Sequence, residues 1–245
     1  MTIRHVTQKL KLVSLFVCLA FVLQYSYAQT NGQSYLLPSG IHFPQVLSVG
    51  QFKHEVAMSQ VKLPFDWLET SIQAPLFHYR MNVGLPKKFL LESGFSTLFV
   101  ANHLALGPRW CVERGRLAFN VGYDVAFAFG ALNFLGFDSS MKSWINYPNF
   151  SLGYQVKDVR FTLKCEMSFV TSTSSKQGAN EVVNDRNFYN GYTVALFVEQ
   201  RLWGERVFTL GFKSSYSKFH FMGWPAFPTF NRFYYIPELY LGLML

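Results

Sequence analysis

The sequence predicts an all-β chain folded as an antiparallel transmembrane β-barrel, with eight strands favoured and ten possible, and three observations predict it. Several segments alternate between bulky apolar residues and small or polar ones, which is the period of a strand with two unlike faces. Aromatic residues make up 18% of the chain and charged residues only 15%, where a soluble domain carries about 25% charge. Beyond the opening residues no stretch is apolar enough for a membrane helix, so any hydrophobicity meant for lipid has to be spread through the alternation.

The opening residues are basic. Arg4, Lys9 and Lys11 precede an apolar run from Leu12 to Leu23, which is shorter than the roughly 20 residues a spanning helix needs. Ser26-Tyr27-Ala28 then supplies a small-x-small triplet ahead of the polar Gln29-Thr30-Asn31-Gly32. That order is a secretory signal peptide over residues 1–28, and cleavage is expected after Ala28. Residues 29–67, with Pro38, Pro44 and Pro64, are expected to form a periplasmic lead, a plug or an extra strand pair drawn from Val46–Val49 and Val56–Leu63. Residues 68–245 are expected to be the barrel.

The strand from 117 to 131 shows the pattern best. Leu117, Phe119, Val121, Tyr123, Val125, Phe127, Phe129 and Ala131 alternate with Ala118, Asn120, Gly122, Asp124, Ala126, Ala128 and Gly130. Val159 to Phe169 repeats it, with Phe161, Leu163, Cys165 and Met167 opposed to Arg160, Thr162, Lys164, Glu166 and Ser168. Two more copies flank the Trp203-Gly204-Glu205 turn, and a last one runs from Phe233 to Leu245. Phe77, Tyr79, Met81 and Val83 form an earlier strand in which Pro75 breaks the phase, as an edge or bulge position would. Strands are thus predicted near 68–84, 88–104, 115–132, 148–157, 159–171, 190–202, 206–221 and 231–245.

A soluble barrel would show the same period turned inside out. Residue size decides between the two. Gly122, Ala126, Ala128, Gly130, Gly153 and Gly211 share the polar face with Arg and Glu, which suits a narrow lumen, whereas a water-facing wall has no reason to be small. The other face is rich in Phe, Tyr, Leu and Val, more than one barrel could pack inside but acceptable to lipid without limit. By this alternation Arg80, Glu92, Arg116, Asp124, Arg160, Lys164, Glu166, Glu199, Arg201, Lys213, Arg232 and Glu238 project inward. Eight strands leave a lumen just wide enough to be filled by side chains. A closed network of paired charges is therefore expected, since buried charges need partners.

Loop lengths agree with this orientation. Lys157-Asp158 and Trp203 to Arg206 are short and are placed on the periplasmic side; Asn133 to Tyr147, Thr171 to Tyr189 and Met222 to Phe230 are longer and are placed outside. Leu85-Pro86-Lys87 is the one short connection left on the outer side. With its signal peptide, alternating strands, short turns and terminal strand, the chain resembles the small, about eight-stranded outer-membrane β-barrels of Gram-negative bacteria over residues 68–245. Leu245 stands where those barrels usually carry Phe, and Gln29 after the cut resembles exported proteins of the Bacteroidota.

Function classes narrow accordingly. Cys111, expected in a turn, and Cys165, on a lipid-facing strand, offer neither a disulfide framework nor a metal quartet. No cofactor is expected. The net charge of +8 is scattered and the chain is exported, so a nucleic-acid partner is not expected. His220, Ser217 and Ser215 are the nearest approach to a catalytic set, but the alternation turns Ser217 and His220 to opposite faces, while nucleophile and base must meet. His78 is expected in the lumen and His103 at an interface. Phe137, Trp144, Trp224, Phe227 and Phe230 are expected at the outer rim, either as a headgroup girdle or as an external contact patch for an extracellular protein or glycan. The remaining partners implied are outer-membrane lipid and the barrel-assembly machinery. The expected role is structural or surface-interacting, with a small-solute channel and a lipid-modifying enzyme, deacylase-like or acyltransferase-like, as alternatives.

Overall fold

The computed structural model of the chain describes residues 40–65, 73–133, 138–202, 206–226 and 231–245. Ten strands follow one another: β1 (Phe52–Lys62), β2 (Gln73–Gly84), β3 (Phe89–Thr97), β4 (Ala101–Arg114), β5 (Leu117–Leu132), β6 (Ser139–Val156), β7 (Val159–Gln177), β8 (Asn180–Arg201), β9 (Val207–Ser217) and β10 (Tyr234–Met244). Each pairs antiparallel with its sequence neighbour, and β1 pairs with β10 to close the barrel. Closure leaves no edge for another chain to extend within the ring.

The strand count is ten, not the favoured eight, and the two extra strands have separate causes. β1 comes from the segment before residue 68, so the barrel begins at Phe52; only the Val56–Leu63 half of the suggested extra pair is strand. Val46–Val49 pairs with no strand. β4 lies partly inside the predicted 88–104 strand, which the structure breaks at Leu98–Val100. That turn is built from bulky apolar residues, with Phe99 at φ 60°, a left-handed conformation usually given to Gly or Asn. The extra strand also reverses the chain direction, so the exceptional turn at residues 85–88 now lies with Gly115-Arg116, Lys157-Asp158 and the bonded Leu202 and Arg206 at one mouth of the barrel. This is called the near mouth below.

The side-chain alternation is observed directly. Along β5, Leu117, Phe119, Val121, Tyr123, Val125 and Phe129 are exposed, while Ala118, Asn120, Asp124, Ala126, Ala128 and Gly130 are buried. The same parity gives β10 its exposed Tyr235, Leu239 and Leu241 and its buried Ile236, Glu238 and Tyr240. The bulky apolar residues thus coat the outer wall, and the lumen takes the small and polar ones. β4 and β5 pair on either side of Gly107-Pro108, and β6 and β7 on either side of Tyr147-Pro148, because proline has no N–H to give a ladder.

Two of the three expected long outer loops are strand. β6, β7 and β8 run as strand through residues 139–147, 171–177 and 180–189; β6 stays paired with β5 as far as Ser139 and β7 with β6 as far as Gln177, while β8 meets β9 only from Gly191 onward. Residues 171–187 of the β7–β8 hairpin are rich in Ser, Thr and Asn on both faces, so their sequence shows no apolar alternation.

Candidate functional site

Three layers of residues fill the lumen, and each layer follows from which strands carry small residues inward. At the near mouth, the chain before β1 enters the barrel. Ile41, Phe43, Gln45 and Leu47 are buried there. Gly153 leaves the space for Phe43 and Pro44: a Cβ on it would lie 2.6 Å from either ring. Glu199 accepts the backbone N–H groups of both His42 and Phe43 at 2.9 Å. His42 stacks on Phe197 with ring centroids 3.8 Å apart and bonds Glu55 at 3.1 Å. Thr209 donates to Oε1 of Glu55 and Tyr240 to Oε2, the oxygen His42 also reaches, each at 2.6 Å.

The middle layer is an ion-pair network. Arg109, 1% exposed, bonds Glu92 through Nε and Asn149 through Nη1, and meets Asp124 at 2.8 Å through Nη2. Gly122 faces it and leaves room for the guanidinium. Arg80 meets Glu92 at 3.1 Å. Lys164 lies 3.0 Å from Glu166 and 4.0 Å from Glu92. Lys213 donates to Glu238 at 2.7 Å, and His78 stands between Ser59 and Ser96 at 2.7 and 2.8 Å with Glu238 3.4 Å away. Above this network lies a chamber of about 150 Å³, lined among others by His78, His103, Asp124, Tyr147, Glu166 and His220. Arg80 Nε, Asp124 Oδ1 and Ser217 Oγ are buried along its wall with no protein partner, and a polar space of this size holds a few waters.

At the far mouth an apolar cluster packs across the lumen. β9 leads through residues 218–220 into a 3-10 turn, Phe221–Ala226, and Phe219, Phe221, Met222 and Trp224 pack against Ala126, Ala128, Met141, Ile145, Val170 and Ile236. Gly130 admits the Trp224 indole, whose Nε1 would lie 2.6 Å from a Cβ there.

Most of the charged residues expected in the lumen belong to these layers. Arg80, Glu92, Asp124, Lys164, Glu166, Lys213 and Glu238 share the middle network, and Glu199 joins the near-mouth layer. Arg160 sits at the near end of β7, bonded to Gln155 at 3.1 Å and over the Phe43 ring at 5.0 Å. Arg201 ends β8, half-buried. Arg116 is different: it lies exposed in the turn between β4 and β5, outside the network. Arg232 precedes β10, is exposed, and bonds Tyr234 at 2.7 Å. Both lie beyond the strand ends, where alternation no longer sets which way a side chain points.

The aromatic rim also divides. Trp144 is 49% exposed on the outer wall beside Phe127, whereas Trp224 is 2% exposed inside the far mouth, because the loop folds into the barrel and not over it. Phe137, Phe227 and Phe230 lie outside the described residues. His103 is a lumen residue, 3.2 Å from the Tyr147 hydroxyl. Cys111 is buried on β4, not in a turn; Cys165 is half-buried on β7, and both are free. Ser217 and His220 both line the chamber, since His220 lies past the end of β9. Among the described residues no hydrogen bond joins them.

Sequence reasoning missed Arg109, Glu55 and His42. Arg109 was hidden with β4, although Ala105, Gly107, Arg109 and Cys111 share one parity against Leu104, Leu106, Trp110 and Val112. Glu55 was hidden with β1.

The chain is thus a closed, ten-stranded antiparallel barrel with an apolar exterior and a polar interior occupied from both ends. No protein-family model matches it, and no curated protein sequence does either. It is similar to solved Gram-negative outer-membrane β-barrels. Neisserial surface protein A is 14% identical, with 79% of this chain and 96% of that one covered and a TM-score of 0.40. The translocator domain of the autotransporter NalP from Neisseria meningitidis is 9% identical, covering 81% and 88% with a TM-score of 0.36. The attachment invasion locus protein Ail of Yersinia pestis, solved with the heparin analogue sucrose octasulfate, is 9% identical, covering 81% and 100% with a TM-score of 0.29.

Proposed function

We propose that the chain is an outer-membrane β-barrel, exported by a signal peptide cut after Ala28, whose role is structural or surface-interacting and whose lumen is closed to solutes. The observation that carries this reading is the combination of an apolar outer wall with a lumen filled by the chain's own residues. A closed barrel satisfies every ladder group of its ring, which is the condition for spanning a bilayer with strands. Exposed Phe, Tyr, Leu and Val around the ring then face acyl chains and not water. Gln29 after the cut supports a Bacteroidota origin. The short near-mouth turns face the periplasm, and the far end of the β7–β8 hairpin stands outside, where it replaces the aromatic loop patch as the surface for an extracellular protein or glycan. Outer-membrane lipid and the barrel-assembly machinery are the remaining partners.

Closure of both mouths argues against steady conduction. The chamber of about 150 Å³ favours one second reading, a small-solute channel seen shut. Planar-bilayer recording with the purified, refolded protein separates the two. The expected record shows no current steps above bare lipid; regular steps would replace the closed role with the channel.

A further inference from the structure

We propose that the near-mouth half of the lumen is a groove for an extended peptide, that residues 40–49 of the chain itself are its present occupant, and that this occupant is exchangeable. The inference rests on the barrel geometry and not on the surface role proposed above.

The grip on this strap is mostly a grip on main chain. Glu199 on β8 accepts two successive backbone N–H groups, from His42 and Phe43. Asn82 on β2 donates to the Ile41 carbonyl at 2.8 Å, and Glu113 on β4 accepts the Val46 N–H. Three separated strands therefore hold the strap by groups every peptide has, the mode by which extended peptides are commonly held. Side-chain selectivity comes from two places: Phe43 and Pro44 fill the space left by Gly153, and the His42 ring lies between Phe197 and the edge of Tyr240 and reaches Glu55. Two carboxylates at the site exclude an acidic residue in that position.

The strap is also separable from the wall. No strand pairs with residues 40–49, and the ring of ten closes through β1 and β10 without it. Its departure costs no wall ladder bond; it exposes the apolar Ile41, Phe43, Leu47 and Phe197, but also uncovers Glu55, Glu199 and Asn82, which water can solvate. The far mouth has the opposite character, apolar packing throughout, and stays shut. Removing the strap therefore opens a blind pocket facing the near side and not a pore.

The chain carries its own reporter. Cys111 is fully buried on the lumen face of β4, two residues from Glu113, whereas Cys165 faces outward; Cys18 and Cys165 are both replaced by Ser in the test chain. The occupant is weakened, with the groove left intact, by His42→Gly with Phe43→Gly in the full chain. A charged, water-soluble thiosulfonate should label Cys111 about ten-fold faster in that variant, the factor expected when closure weakens by about 1.4 kcal/mol. A synthetic peptide of residues 38–50 should restore protection when added in trans, and the same peptide carrying His42→Glu should not. Unchanged labelling overturns the proposal, and so does acceleration that the native peptide fails to reverse, since a merely structural plug behaves that way. If the double variant labels as fast as the urea-unfolded chain, Phe43→Gly alone decides by the same two readouts.

Discussion

Arg109 shows most sharply what the lumen asks of a single residue. It is 1% exposed and meets Glu92, Asp124 and Asn149 at once, so it holds together carboxylates from two strands that are not neighbours. Removing one partner of a buried pair leaves the other charge uncompensated, at a cost of about 3–5 kcal/mol. Arg109→Met should therefore lower barrel stability by about that amount in urea unfolding from lipid vesicles. Adding Asp124→Asn should recover part of it, because Glu92 keeps Arg80 and Lys164 while Asp124 has lost its cation. At this scale the sequence was legible wherever parity was known. Asp124, Lys164 and Glu199 fall on the inward face because their neighbours at two-residue spacing do. Arg116 and Arg232 were misplaced because parity says nothing once a strand has ended, and whether a residue lies one step inside or outside a turn is decided by backbone conformation.

At the level of elements, the strands found most surely are those with bulky apolar residues on one side and crowding on the other, β5 and the lower part of β7. The β7–β8 hairpin beyond residue 171 looked like a loop because it is polar on both faces and shows no apolar alternation. β4 was lost because Leu98, Phe99 and Val100 make a turn without a turn-forming residue. The far-mouth turn taught a different lesson. Its aromatic and proline-rich composition suggested an exposed patch, yet the inward Ala126, Ala128 and Gly130 form a socket for Trp224, and small residues on one element were the signature of a large one arriving from another. Trp224→Ala should cost about 3–5 kcal/mol, as large-to-small core changes of this size do. Trp224→Phe should be near neutral, since it keeps most of the packing and removes a buried Nε1–H that has no partner. Chemical unfolding of both variants, followed by tyrosine and remaining tryptophan fluorescence, checks the contrast.

The molecule as a whole is organised by one inversion: what a soluble domain buries, this barrel displays. The wall residues are half exposed and apolar, and the buried ones include Arg109, Glu55, Glu199 and Glu238. Such an arrangement is stable only if the surroundings of the wall are themselves apolar, and this can be measured by depth. On β5, Val125 lies near the middle of the strand and Leu117 at its near-mouth end, both exposed on the outer face. A lipid-facing Arg costs about 2–4 kcal/mol at the bilayer midplane and about 0–1 near the interface. Val125→Arg should thus reduce folding stability in vesicles by the larger amount and Leu117→Arg by the smaller. In a soluble barrel both positions face water, and both substitutions would fall within the roughly ±0.5 kcal/mol typical of surface sites. Equal, small effects at the two positions would mean that the apolar wall meets something other than a bilayer, and the membrane reading would have to be given up.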